Sequence, residues 1–182
     1  MDLWAQAWRR HAKGDVIIVR YADDAVVGFQ HESEARRFWA DLAERFAKFG
    51  LELHPAKTRL LEFGRHAAEE RKRNGRSKPE SFDFLGFTHV CGKTRKGRFS
   101  LLRRTSRKRV RRKLGAIKIE LRRRLHAPIP EVGKWLGTVL RGHFNYYGVP
   151  QNSSALSIFR YFVSRLWWRT LRRRSQKTRP TW

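Results

Sequence analysis

The sequence predicts an α+β chain in which an antiparallel sheet carrying one helix is followed by a strongly basic bundle of three helices. Three observations lead there. Two β-branched, apolar runs at residues 16–20 and 25–29 flank Tyr21-Ala22-Asp23-Asp24, the pattern of a hairpin with two carboxylates at its tip. Ala35, Phe38, Trp39, Leu42, Phe46 and Phe49 then fall along one helical stripe over residues 32–49, with Gly50 as the stop. In the last part of the chain the period is helical throughout, and the positions between the apolar ones are overwhelmingly Arg and Lys.

Two short strands are expected at residues 51–53 and 58–63, which completes a ββαβ order. Residues 64–80 are polar, with Asn74-Gly75 and Pro79, and read as a loop or linker. Residues 82–90 and 99–102 form a further hairpin that turns through 92–97. Val110, Leu114, Ile117, Leu121 and Leu125 define a first helical face, and Pro128 and Pro130 break that helix. Val132, Trp135, Leu136, Val139, Leu140, Phe144 and Tyr147 define a second. After Gly148-Val149-Pro150, Leu156, Phe159, Val163, Leu166 and Trp167 define a third. The division this suggests is residues 1–90 and 91–182.

Charge follows that division. Of 182 residues, 42 are Lys or Arg and 16 are Asp or Glu, a formal net charge of +26. Residues 1–90 hold 16 bases and 14 acids, whereas 91–182 hold 26 bases and only Glu120 and Glu131 as acids. A solvated face normally mixes both signs, so an imbalance of this size points to a polyanion, with nucleic acid the expected partner. With 40% hydrophobic residues the chain is not disordered as a whole. No apolar run approaches the roughly 18 residues of a membrane span, and no signal peptide opens the chain, so no membrane partner is expected. The single cysteine, Cys91, excludes an internal disulfide framework and fits a cytoplasmic location. The seven histidines show no zinc-ligand spacing.

Asp23 and Asp24 admit two readings. Aspartate suits turns and caps backbone groups without any further role. Adjacent carboxylates also repel, and a bound divalent cation is the usual reason to tolerate them. Hard oxygen ligands at the end of an apolar hairpin, in a chain built for a polyanion, suggest Mg²⁺-assisted phosphoryl transfer.

Arg20-Tyr21-Ala22-Asp23-Asp24 in this hairpin resembles the YxDD box of reverse transcriptases, in the form seen in group II intron-encoded proteins. The run from Gly50 to Thr58, Gly-Leu-Glu-Leu-His-Pro-Ala-Lys-Thr, resembles the next palm motif of that family. Phe82-Asp83-Phe84-Leu85-Gly86-Phe87 resembles its primer-grip hairpin. Residues 113–148, ending Leu140-Arg141-Gly142-His143-Phe144-Asn145-Tyr146-Tyr147-Gly148, resemble the thumb or maturase region, and the run from Arg172 to Lys177 its final helix. The four boxes stand in the family's order.

The resemblance implies a partial palm followed by a basic three-helix thumb, and an RNA-directed DNA polymerase that also acts as an intron maturase. It implies Asp23 and Asp24 as metal-binding catalytic carboxylates. Tyr21 would lie at the primer terminus or nucleotide, and Lys57 would act as proton donor or charge stabiliser, its alternative being an ordinary surface lysine. Phe84, Leu85, Gly86 and Phe87 would hold the primer end or simply pack the sheet. The family's third carboxylate and its fingers lie upstream of these motifs, and Asp2 and Asp15 do not stand in for the former. The chain alone is therefore expected to hold Mg²⁺ weakly or not at all and not to polymerise. It would be a remnant, or would depend on a separate chain for the fingers and the rest of the palm.

Intron RNA and a DNA primer are the implied partners. Arg103, Arg104, Arg107, Lys108, Arg111 and Arg112 are expected as a cationic arc, extended by Arg122, Arg123, Arg124, Arg141, Arg172, Arg173 and Arg174. Tyr146, Tyr147, Trp167 and Trp168 are either core or stacking surfaces for unpaired bases. The alternative function is a non-enzymatic RNA-binding maturase module that assists intron folding and splicing through the basic helices alone.

Overall fold

The structure, a computed structural model, describes residues 2–174. It forms two compact units, Met1–Glu62 and Phe63–Trp182. The run from Ser175 to Lys177, which completes the last sequence motif, lies outside the described residues.

The first unit begins with a helix that the sequence reading did not anticipate, α1 (Asp2–Arg10). Trp4, Ala5 and Trp8 at i, i+1 and i+4 were its signal. The expected hairpin follows as β1 (Val16–Tyr21) and β2 (Asp24–Phe29), paired antiparallel from Val16 with Phe29 to Tyr21 with Asp24. The long helix α2 (Glu32–Ala47) closes the core. Ala5 and Trp8 of α1, Val16 of β1, and Phe38 and Leu42 of α2 pack together, with Trp4, Phe29 and Phe46 around them. Trp8 meets Phe38 edge to face at 5.0 Å, and its indole N–H donates to Asp41 at 2.7 Å. Trp39 and Phe49 are exposed, so the buried stripe is narrower than the apolar pattern suggests.

Buried Glu34 fixes the connection into β1. Its two carboxylate oxygens accept the backbone N–H groups of Lys13 (2.5 Å) and Gly14 (3.2 Å). Helix α2 ends through Gly50, which takes φ +66°; Gly50 N–H donates to the Ala47 carbonyl and Leu51 N–H to that of Phe46, a Schellman closure. The two strands expected at 51–53 and 58–63 do not form. Residues 54–58 turn instead, with Lys57 and Thr58 N–H both donating to the His54 carbonyl, and no neighbouring strand is present to pair with either side.

The second unit opens with a short helix, α3 (Ala67–Arg73), within the segment read as a loop. Its acids lie in the first turn and its bases in the last, which suits the helix dipole, and Gly75 at φ +65° follows it. Next comes a three-stranded antiparallel meander, β3 (Phe82–Phe84), β4 (Phe87–Lys93) and β5 (Phe99–Thr105). The run read as one strand over 82–90 is thus itself a hairpin, because Leu85-Gly86 turns it. This meander passes through residue 90 and belongs with the helices that follow. Those are α4 (Arg107–Arg123), α5 (Ile129–Tyr147) and α6 (Ser153–Arg174). Their core is the expected set: Ile117 and Leu121 of α4, Val132 and Leu136 of α5, Phe159 and Val163 of α6. No described helix is long and apolar enough to cross a membrane.

Two buried polar side chains complete this unit. Asn152, fully buried, accepts the Thr105 N–H at 3.0 Å and donates to the Thr105 hydroxyl and the Tyr147 carbonyl, each at 2.8 Å. Asn152→Ala would strand the Thr105 N–H inside the unit and remove one of the two donors to the Tyr147 carbonyl, which keeps the Val149 N–H. The expected cost is about 3 kcal/mol, read from urea unfolding. His143 of α5 is stacked on Phe159 at 3.7 Å, and its Nε2 is buried without a hydrogen-bond partner. Burial, reinforced by nearby Lys113, holds its pKa down at about 4.

Since this folded value lies below the unfolded one, the unfolded chain takes up the proton first as pH falls. Stability from His143 is therefore complete above about pH 6.5 and declines between there and about pH 4, by order of 2 kcal/mol. His89, which burial shifts in the same direction, adds to the slope. His143→Phe should keep the stack and flatten most of the decline, as measured by thermal melts across that range.

Candidate functional site

The carboxylate pair sits on the tightest kind of hairpin. Tyr21 pairs with Asp24, leaving only Ala22 and Asp23 as the loop. Ala22 takes φ +53°, whereas Asp23 does not enter the left-handed region. This is the pattern of a type II′ turn with alanine where glycine is usual. Side-chain alternation places Ile17, Val19 and Tyr21 on one face together with Asp24 and Val26. That face is open: Ile17 is 65%, Val19 47% and Tyr21 65% exposed. The hairpin is therefore covered on one side only, by α1 and α2, and is not buried at its end as its apolar composition suggests.

Asp23 and Asp24 are both exposed, and no described side chain forms an ion pair with either. The side chain that anchors the loop is that of Arg20. Its guanidinium grips Asp2 through Nε (2.6 Å) and Nη2 (2.5 Å) and donates from Nη1 to the carbonyl of Ala22 (2.7 Å). The hydrogen bond from Arg20 holds the Asp2 carboxyl below the usual carboxylate range. Asp2 is thus a neutralised structural partner, and Arg20 clamps the loop from which Asp23 projects. Sequence reading assigned neither residue a role; a basic residue two before the loop was the available signal. Lys57 is exposed in the turn after α2, and no described contact joins it to the aspartates.

Within the second unit the expected primer-grip residues form a defined turn. Leu85 (φ +49°) and Gly86 (φ +80°) are both left-handed, as a type I′ hairpin loop requires. Helix α5 holds this turn. The Tyr146 hydroxyl donates to the Leu85 carbonyl at 2.8 Å, and Phe87 stacks on Tyr146 at 5.9 Å and meets Tyr147 edge-on at 5.1 Å. Ser106 donates its N–H to the Gly86 carbonyl and its hydroxyl to Asp83. Phe84 lies tilted against His89. Tyr146 and Tyr147, weighed as core or as base-stacking surfaces, both contact this turn; Tyr147 is half-buried, and Tyr146 is 55% exposed.

The basic residues divide by environment. Arg103 and Arg104 lie on β5 rather than on the helix, and they are exposed, as are Arg107, Lys108, Arg111, Arg112, Arg122, Arg123, Arg141, Arg172 and Arg173. Arg124 and Arg174 are engaged in the bundle. Arg124 binds Glu120 at 2.7 Å and lies 5.0 Å over Trp135; Arg174 donates to the Ala127 carbonyl at 2.7 Å. Arg123 also reaches Glu120, at 3.8 Å. Trp167 packs against the core, and Trp168 lies beside Arg165 and Arg172 at 5.6 and 4.7 Å.

Charge separates along the unit boundary more sharply than along residue 90. Residues 1–62 carry ten bases and ten acids, and residues 63–182 carry 32 bases and six acids. The whole net charge of +26 belongs to the second unit. The first unit presents an acidic tip on a neutral body; the second is a cationic surface.

Residues 1–89 match the family model of reverse transcriptase (RNA-dependent DNA polymerase). The reverse transcriptase match takes in the whole first unit, with the Tyr21–Asp24 tip, and runs through the Leu85-Gly86 turn to β4. Helices α4, α5 and α6 lie beyond it. No curated protein matches the chain. Among the described residues no group of three or more His, Cys, Asp and Glu side chains is gathered to hold a metal ion.

A Cβ added at Gly86 would stand 2.8 Å from the Tyr147 hydroxyl oxygen, at a left-handed φ. Gly86→Ala is therefore expected to cost about 2 kcal/mol, in part from strain and in part from displacing that hydroxyl. Adding Tyr147→Phe should recover the second part but not the first, which a double-mutant cycle in denaturant would resolve.

Proposed function

We propose that the chain contributes the YxDD tip, the primer-grip turn and the thumb of an RNA-directed DNA polymerase of the group II intron type, and that its basic helices also bind the intron RNA as a maturase. The observation that carries this reading is the tip itself: two exposed carboxylates at a two-residue turn, Asp23 in the loop and Asp24 at the start of β2, beside an open apolar face that includes Tyr21. The family match over residues 1–89 supports the polymerase part, and the order of the sequence motifs supports the intron type.

Asp23 and Asp24 are hard oxygen donors at an exposed turn and fit Mg²⁺. When bound, that ion supplies charge neutralisation at the attacking and leaving oxygens of nucleotidyl transfer. The chain's own residues do the remaining work. Arg20 fixes the loop carbonyl next to Asp23, Tyr21 offers a flat surface beside Asp24, and the Leu85-Gly86 turn is held ready by Tyr146 for the primer strand. Lys57 is proposed to meet the departing pyrophosphate. Two carboxylates do not make up a complete two-metal site, so a third ligand is to come from outside the described residues, in the same protein or in a partner chain.

The second reading, an RNA-binding maturase module without polymerase activity, is favoured by one observation: the entire net charge sits on the unit that contains the helices.

The test is Mg²⁺-dependent extension of a DNA primer on an RNA template, run with and without an added N-terminal half of a related enzyme. Extension only with the added half is expected, and Asp23→Asn should abolish it while leaving RNA binding unchanged. RNA binding by either form should weaken at least tenfold from low to physiological salt, since each phosphate contact releases counterion. Salt-independent binding would remove the polyanion reading, and extension by Asp23→Asn would remove the catalytic assignment.

A further inference from the structure

Helix α6 carries six arginines and no acid between Ser153 and Arg174. Phe159 and Val163 set its inner face, and both are fully enclosed in the bundle core. Three large apolar side chains nevertheless point away from that core. Ile158 is 54%, Tyr161 57% and Phe162 46% exposed. Tyr161 and Phe162 stand edge to face, with ring centroids 5.5 Å apart and planes at 69°. Stepping along the same side by helical spacing from Ile158 and Phe162 reaches Arg165, Arg169 and Arg172. The buried core does not use Ile158, Tyr161 or Phe162. Of the arginines, Arg169 and Arg172 are exposed and Arg165 is half-buried, with the guanidinium groups of Arg165 and Arg172 over Trp168. Neither the YxDD tip nor the primer-grip turn includes this face.

What covers such a surface must offer flat apolar area and negative charge at short alternating intervals. A protein's apolar patch placed here would desolvate Arg165 and Arg169 against no compensating acid. A lipid surface supplies the charge, but three side chains in little more than one helical turn give scant area to bury in it. Unpaired nucleic acid supplies both, with bases to stack and phosphates spaced along a strand. A duplex supplies only the phosphates, because its base faces are already stacked.

We propose that the outer face of α6 is a binding site for unpaired RNA, with Tyr161 and Phe162 as the stacking platform and Arg165, Arg169 and Arg172 as the phosphate contacts. This rests on the polyanion-binding reading of the second unit and adds to it a preference for strand over duplex. Tyr161 and Phe162 are positioned for it by the same helix turn that puts Phe159 and Val163 in the core.

The test uses the full chain, a single-stranded RNA oligonucleotide and a blunt RNA duplex of equal length, at two salt concentrations. Tyr161→Ala combined with Phe162→Ala is expected to weaken single-strand binding about 10- to 100-fold, with duplex binding and the salt slope unchanged. Replacing both residues by Trp should restore binding. Arg165→Gln with Arg169→Gln should weaken both ligands and lower the salt slope by about 1.4 on the single strand. An aromatic double variant that binds both RNAs as the unaltered chain does overturns the proposal, as does one that loses both equally. So does loss of binding to phosphatidylserine vesicles with RNA binding intact, which would make the face a lipid contact. If the unaltered chain bound neither RNA, the polyanion reading itself would fail, an outcome distinct from all of these.

Discussion

The Asn152 side chain sits where three segments of the second unit meet, out of reach of water. It closes hydrogen bonds to the end of β5 through Thr105 and to the last turn of α5 through the Tyr147 carbonyl, while the backbone carbonyl of the same residue accepts the first N–H groups of α6 from Ala155 and Leu156. An amide in that position is stabilising only when its partners are all in place, so it accepts one relative placement of sheet and helices and rejects others. The rest of the unit follows from that placement. Helix α6 starts in the direction that buries Phe159 and Val163, α4 leaves β5 immediately after Thr105, and Tyr146 and Tyr147 end α5 against the Leu85-Gly86 turn.

The two units divide the physical work between them. The first is electrically balanced and rests on an aromatic cluster of Trp4, Trp8, Phe29 and Phe38, with the buried carboxylate of Glu34 tied to backbone donors. The second carries an excess of positive charge that opposes its own compaction, and an apolar core shared by three helices offsets it. Where an arginine reaches inward it is satisfied, as Arg124 is by Glu120 and Arg174 by the Ala127 carbonyl. Most of the other described cations of this unit are exposed, where a polyanion would remove their mutual repulsion as it binds.

Periodicity made most of this legible from the sequence. The β-branched runs around Tyr21–Asp24 and the helical stripes of α2, α4, α5 and α6 are strong repeating signals, and they named most of the buried core, although Trp39 and Phe49 of the α2 stripe are exposed and Ala5 and Trp8 of α1 were not named. What escaped lacks a period. Helix α3 has no apolar stripe beyond its opening alanines, of which Ala67 is buried, and only its charge order and Gly75 mark it. Residues 51–63 have strand-like composition but no partner strand, and composition alone does not supply one. Glu34, His143 and Asn152 are polar residues that the fold takes inside, each justified by a contact distant in sequence. The same holds at the candidate site: the acidic pair was evident in the chain, whereas Arg20's grip on Asp2 and Ala22 needed three dimensions. Tyr161 and Phe162 were hidden by an arrangement that places apolar residues on both sides of one helix.

Alanine at position 22 bears on how accurately the tip can be aimed. A left-handed φ costs a residue with a side chain roughly 1–2 kcal/mol, and the β1–β2 ladder together with Arg20 maintains it here. Glycine would occupy the same angles without that cost, yet it would also open neighbouring angles to the loop and let the carboxylates wander. The chain holds a tensioned turn in place of a relaxed one. It gives up some stability at that position, and the direction in which Asp23 leaves the backbone is set before any ligand arrives.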